Sequence, residues 1–304
     1  MKKLSISIII ILIGIFVLDR VGGNIMWWVN QHTNENAGLK IRKMVNEVNA
    51  DILLMGTSRC NRHYVPSIIS DSVGLSVYNG GIDASDNIYS HYTLLNLILP
   101  RYSPKVICLE VSVNDFTKQP NPFSTVSFFA PYFGHNEQSD TIFHLAELYW
   151  QYRLSYLYRF NAKATSNIVG LFATPQNVGE DGYVPHPRPS HPINHPPYNA
   201  EAIGQIDYQK ISFLQKFIHI CSEKGILLVF SISPLYSKVT STYYTILKNI
   251  AKENNIPILD YHTKQIFLDR PDYFEDGVHL WDMGACIYSS MFAHDLKEII
   301  QDKI

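Results

Sequence analysis

The chain is 304 residues long and 46% hydrophobic, enough for one large or two small domains with a substantial core. A formal net charge of −2, with 12 histidines uncounted, shows no polybasic bias and argues against a nucleic-acid partner. Cys60, Cys108, Cys221 and Cys286 lack CxxC or zinc-ligand spacing; Cys108 and Cys221 read as buried thiols, and a reactive role for Cys60 would leave the neighbouring Gly-Thr-Ser unexplained. At the N-terminus, Met1-Lys2-Lys3 precedes an apolar run, Leu4 to Leu18, that ends at Asp19-Arg20. At about 1.5 Å per residue the run covers roughly 22 Å of a hydrocarbon layer about 30 Å thick. It is therefore either the core of a signal peptide or an uncleaved anchor whose helix continues through Val21 toward Trp27-Trp28, and the anchor is preferred. In both cases the rest of the chain lies outside the cytoplasm. Residues 1–23 are taken as this segment and 24–304 as the functional domain.

Residues 31–49 place Leu39, Ile41, Met44, Val45 and Val48 at near-helical spacing, an amphipathic helix for packing. Ile52 to Met55 then forms a short buried strand that enters Gly56-Thr57-Ser58-Arg59. Leu75 to Tyr78 is a second strand, and Ser85-Asp86 can cap a helix that reaches about Leu99 before Pro100. Lys105 to Val111 is a third strand, leading to Asn114. An insertion follows, at about 118–205, with Pro120, Pro122 and Pro131 in an aromatic loop. Ser139-Asp140 starts one long helix through about Phe160, carrying Phe143, Leu148, Tyr149, Tyr152 and Tyr156 as a core stripe. Tyr183 to Pro197 is a Pro-rich extended loop. Its His186, His191 and His195 share no helical face and have no carboxylate partners, so a cap or lid is favoured over a metal site. Tyr208 to Lys224 is a helix, Ile226 to Ile232 a strand, Thr240 to Glu253 a helix and Ile256 to Asp260 a strand; a last helix starts around Met283. Strands alternating with helices imply an α/β fold with a parallel sheet of about five strands.

Ligands of such sheets bind beyond the carboxyl ends of the strands, where Ser58 stands. A serine needs a base to take its proton and a group to orient that base. Asp276-Gly277-Val278-His279 offers both: a carboxylate three residues ahead of an imidazole, across a Gly-containing turn. Ser58 is the candidate nucleophile, His279 the general base and Asp276 the group that fixes its tautomer.

These blocks resemble the SGNH (GDSL-type) hydrolase superfamily, in the membrane-anchored cell-envelope branch whose first block reads Gly-Ser/Thr-Ser-Arg. The motifs cover roughly residues 50–116 and 205–300. The resemblance implies a flavodoxin-like three-layer sandwich with the insertion as a cap, and the same Ser58, Asp276 and His279 triad. It also implies an oxyanion hole made by the Ser58 N–H, a second-block N–H and a third-block Asn. The third block, Val111-Ser112-Val113-Asn114-Asp115, supplies Asn114 and has Ser112 where glycine is usual. In the second block, Val77 to Ser85, the family glycine falls on Ala84, with Gly81 as the fallback donor. Arg59 and Gly81 are candidate substrate-binding residues, Arg59 being equally suited to a structural ion pair. The implied activity is acyl-ester hydrolysis on acylated cell-envelope or extracellular glycan, with no cofactor and no metal. O-acyl transfer to a sugar hydroxyl and a catalytically silent glycan- or partner-binding protein are the alternatives.

Overall fold

A computed structural model describes residues 2–303 other than 86, 175–177, 192, 202, 203 and 241. In chain order the helices are α1 (Lys2–His32), α2 (Asn36–Asn46), α3 (Ser58–His63), α4 (Pro66–Val73), α5 (Ile88–Ile98), α6 (Glu137–Leu145), α7 (Tyr149–Leu154), α8 (Ala164–Phe172), α9 (Tyr208–Glu223), α10 (Thr242–Glu253), α11 (Gln265–Leu268) and α12 (Asp282–Lys303). The strands are β1 (Ile52–Met55), β2 (Val77–Asn79), β3 (Val106–Glu110), β4 (Tyr198–Glu201), β5 (Leu227–Ile232), β6 (Ser237–Thr240) and β7 (Ile258–Asp260). The chain divides into two units, residues 1–42 with 123–176 and residues 43–122 with 177–304.

The larger unit is built on a five-stranded sheet, order β2-β1-β3-β5-β7, with every pairing parallel. Numbered within the sheet this is 2-1-3-4-5, the flavodoxin-like order, whose switch point lies between β1 and β3. The two covered faces follow from strand alternation. Ile52, Leu54, Val106, Cys108 and Val229 join one core with Tyr288, Phe292 and Leu296 of α12. The intervening Leu53, Met55, Ile107, Leu109 and Phe230 point the other way and are equally buried. That is why the strands read as unbroken apolar runs. On this framework β1 delivers Ser58 and the adjacent β3 delivers Asn114. A separate parallel pair, β4 with β6, was not visible in the sequence.

In the smaller unit α1 is continuous through residue 23 to His32, so no helix begins at residue 31; the amphipathic segment is confined to α2. Met26 and Val29 of α1 pack on Phe160, and Asn167 of α8 bonds to Asn30 at 3.1 Å. The single long helix expected over 139–160 is instead α6, α7 and a 3-10 turn, Leu157–Phe160. The break is a Schellman motif: Glu147 sits at φ +58°, its N–H bonds His144 O at 3.1 Å, and the Leu148 N–H bonds Phe143 O at 2.9 Å. A glutamate in the left-handed region is uncommon, so no residue type announces the stop. Likewise α5 is capped by Asn87, whose side chain accepts from the Tyr89 N–H at 3.1 Å; Ser85 bonds to Ile82 O instead, and Asp86 lies outside the described residues.

Candidate active site

Gly56 has to be glycine because β1 passes close under the site: a Cβ there would come within 2.7 Å of the Cβ atoms of Cys60 and Glu110. Thr57 is extended and Ser58 opens α3, whose first intrahelical bond runs from the Asn61 N–H to Thr57 O at 3.0 Å. The Ser58 N–H thus belongs to the first turn, where no carbonyl lies upstream to accept it. At the other end of α3, Asn79 donates to Cys60 O and Tyr64 O, both at 2.8 Å, and so satisfies carbonyls the helix leaves open.

The Asp276 and His279 turn is closed by an antiparallel bridge between Phe274 and Leu280. Asp276 Oδ1 accepts the Val278 and His279 N–H groups, both at 2.7 Å, and Oδ2 lies 2.9 Å from His279 Nδ1. Burial tends to raise the Asp276 pKa, but the imidazole and backbone N–H bonds outweigh it and hold the carboxyl well below the usual carboxylate range. An ionised carboxylate only accepts, so Nδ1 carries the hydrogen and Nε2 is left as an acceptor. Nε2 stands 2.8 Å from Ser58 Oγ. The serine, histidine and aspartate singled out in the sequence therefore form a continuous hydrogen-bonded chain.

Behind that chain lies a buried polar network that sequence reading missed. Glu110, 1% exposed at the end of β3, pairs with Arg59 at 3.1 Å. It also accepts from the Tyr64 hydroxyl, from Ser233 Oγ at 2.8 Å and from the Ser233 N–H at 3.1 Å. Arg59 further donates to Val111 O at 3.1 Å, while its Nη1 is buried without a hydrogen bond among the described residues. Arg59 thus forms the structural ion pair weighed for it, and it also lines the cavity that holds Ser58 and His279. His63 bonds Ser233 Oγ through Nδ1 at 2.9 Å and accepts the Leu280 N–H at Nε2, 3.0 Å away. That contact ties α3 to the residue after His279. Burial, with Arg59 and His279 close by, pushes the His63 pKa well down, so it stays neutral. One signal was available: Glu110 is a lone charge ending an apolar strand, and such a charge requires a partner.

Asn114 sits in a 3-10 turn, Val113–Asp115, whose capping box joins the Ser112 N–H to Asp115 Oδ2 at 2.8 Å. Ser112, found where glycine was expected, has φ −119°, so nothing at that position requires glycine. Burial lifts Asp115 to about 6. Lys210, fully buried on α9, donates to Asn114 O and Thr117 O, both at 2.8 Å. Gln119 Nε2 donates to Asn114 Oδ1 at 3.0 Å, which occupies the amide oxygen and leaves Nδ2 as the side chain's donor. A cavity of about 260 Å³ brings Ser58, Asn114 and His279 together, with Thr57, Ser112, Leu235, Tyr244 and Val278 around them.

Ala84 is exposed and lies outside that lining, at φ +61°, the region that favours glycine. Gly81 is corrected as the fallback donor: its N–H is spent on Asn79 Oδ1 at 3.0 Å, and it is buried against the backbone of Asn61, where a Cβ would clash. The three histidines of the Pro-rich loop do not gather. His186 alone reaches the site, its ring 6.1 Å from that of His279, while His191 bonds Ser190 and His195 lies beside Tyr236. Glu275, Asp276 and His279 do place ligand-type atoms within 4.8 Å of one another, but both His279 nitrogens are engaged by Asp276 and Ser58.

No family model and no curated protein matches the chain. Among solved structures it is similar to one provisionally described as a lipolytic protein of the G-D-S-L family from Desulfitobacterium hafniense DCB-2, at 10% identity and a TM-score of 0.39, covering 80% of this chain and 97% of that one. It is also similar to one provisionally described as an acylhydrolase from Bacteroides fragilis NCTC 9343, at 14% identity and a TM-score of 0.38, covering 81% and 87%.

Proposed function

We propose that the protein is a serine-dependent acyl-ester hydrolase of the SGNH type, anchored in a membrane by α1 and acting on acylated glycan of the cell envelope. The observation that carries this reading is the chain from Ser58 Oγ to His279 Nε2 at 2.8 Å and from His279 Nδ1 to Asp276 Oδ2 at 2.9 Å. His279 takes the Ser58 proton as Oγ attacks the ester carbonyl, and Asp276 stabilises the imidazolium that results. The oxyanion is held by the Ser58 N–H and Asn114 Nδ2; the Ala84 N–H, the third donor that the resemblance implies, stands outside the cavity lining. His279 then passes its proton to the departing alcohol, which leaves Ser58 acylated. Water, activated by His279, releases the acid. A sugar hydroxyl taking the place of that water would make the same residues an O-acyltransferase. For the membrane part, support comes from the helix Lys3–His32, whose most apolar 18-residue stretch has mean hydropathy 2.5 and no protein cover.

The test is hydrolysis of short-chain aryl acetates by the full chain beside Ser58→Ala. Turnover by the parent alone is expected. Equal rates would exclude Ser58 as nucleophile, and a stable acyl adduct without turnover would favour transfer over hydrolysis.

A further inference from the structure

The apolar run of α1 is about 8 Å short of a hydrocarbon layer, and what stands at its end addresses the shortfall. Asp19 and Arg20 close the run, and both are taken up by one short stretch of chain. Asp19 accepts from the Ser155 hydroxyl and from the N–H groups of Tyr156 and Leu157, at 2.9 and 3.2 Å. Arg20 donates to Leu154 O at 3.2 Å and lies over the Tyr156 ring at 4.0 Å. Leu157 packs against Gly22, where a Cβ would stand 3.4 Å from Leu157 Cδ1. Residues 154–157 are thus fixed beside α1 at the level where its apolar run stops.

At that level the protein turns apolar side chains outward. Trp150 and Leu154, one helical turn apart on α7, are 66% and 70% exposed, and Leu157 is 46% exposed. From Trp150 to Phe172 there is no acidic residue; Arg153 is exposed, while Arg159 is held by Tyr152 O and Phe133 O and Lys163 pairs with Glu35. Tryptophan and aliphatic residues beside an exposed cation, next to the end of a membrane helix, have the composition of a segment lying in the headgroup boundary. With Asp19 and Arg20 capped by protein groups, they can sit near that boundary without exposing bare polar atoms to acyl chains.

We propose that the segment from Trp150 to Leu157 is an interfacial element that enters the leaflet from which α1 emerges, with Trp150, Leu154 and Leu157 among the upper acyl chains and Arg153 at anionic phospholipid headgroups. This rests on α1 being a membrane anchor. The helix and the segment then cross the outer leaflet boundary together, which makes up the missing length and fixes the smaller unit against the bilayer.

The experiment places a nitroxide at Leu154→Cys, Ile11→Cys or Lys297→Cys in full-length Cys286→Ser protein, reconstituted into phosphatidylcholine–phosphatidylglycerol nanodiscs. Accessibility to oxygen and to an aqueous nickel chelate is then compared. The proposal predicts that nickel accessibility at position 154 is several-fold below that at 297 and that oxygen is favoured, less deeply than at position 11. A water-like label at 154 with a lipid-embedded label at 11 would overturn the interfacial element and leave the anchor standing. A water-like label at 11 would overturn the anchor, and the inference with it.

Discussion

Glu110→Ala should be among the most destabilising single changes near the site. Glu110 is 1% exposed and Arg59 7%, so removing the carboxylate strands an almost wholly buried guanidinium. Breaking a buried ion pair from one side costs about 3–5 kcal/mol. Three further groups lose this acceptor, the Ser233 N–H, the Ser233 hydroxyl and the Tyr64 hydroxyl, although Tyr64 keeps Ser231 Oγ at 2.7 Å. The expected loss is therefore about 4 kcal/mol, or a fall in Tm on the order of 10 °C for a chain of this size. Thermal and denaturant unfolding of the detergent-solubilised chain measure it. The companion is Arg59→Met/Glu110→Leu, which removes both charges and keeps bulk; it should recover about 2 kcal/mol or more relative to Glu110→Ala, since replacing both members of a buried pair is often neutral. A Glu110→Ala loss below about 1 kcal/mol, or a double variant no better than the single, would refute the reasoning.

Asn114→Ala should lower esterase turnover about 100- to 1,000-fold with unfolding unchanged within about 1 kcal/mol; full turnover would remove Asn114 from the oxyanion hole. Ala84→Gly should stabilise the chain by up to about 1 kcal/mol and keep turnover within about twofold, because glycine relieves the φ +61° backbone while retaining its N–H. Acid should destabilise through the buried histidines. Burial depresses His91 from 6.5 to about 4, so below about 6.5 the unfolded chain takes up a proton that the folded chain refuses. Stability present at pH 7 is then lost as pH falls from about 6.5 toward 4, by about 2 kcal/mol at pH 5 from His91 alone, and His63 acts in the same direction. Denaturant unfolding at pH 7 and pH 5 should show a smaller difference in His91→Phe than in the parent; an equal difference would clear His91.

The sheet was legible because apolar runs of strand length bounded by turn residues favour buried strands, and five such runs became five parallel strands. Ser58, Asp276 and His279 stood out through the strand-end Gly-Thr-Ser-Arg and the Asp-x-x-His spacing, and Asn114 through the resemblance alone; the structure brings Ser58, Asn114 and His279 to one cavity, with Asp276 bonded to His279. What stayed hidden depends on partners distant in sequence. The Glu110, Arg59 and Ser233 network joins three separate strand ends, and Lys210 reaches Asn114 across 96 positions. The broken helix at Glu147 escaped for a different reason: its stop is a backbone conformation that glutamate seldom adopts.

The measurement closest to the central claim is to quench the full chain in acid shortly after mixing with an activated acetyl ester and to map the acetylated peptide by mass spectrometry. The account predicts one acetyl group, on Ser58, that His279→Ala sharply reduces. Turnover with the acetyl group on Cys60 or any other residue, and none on Ser58, would contradict it.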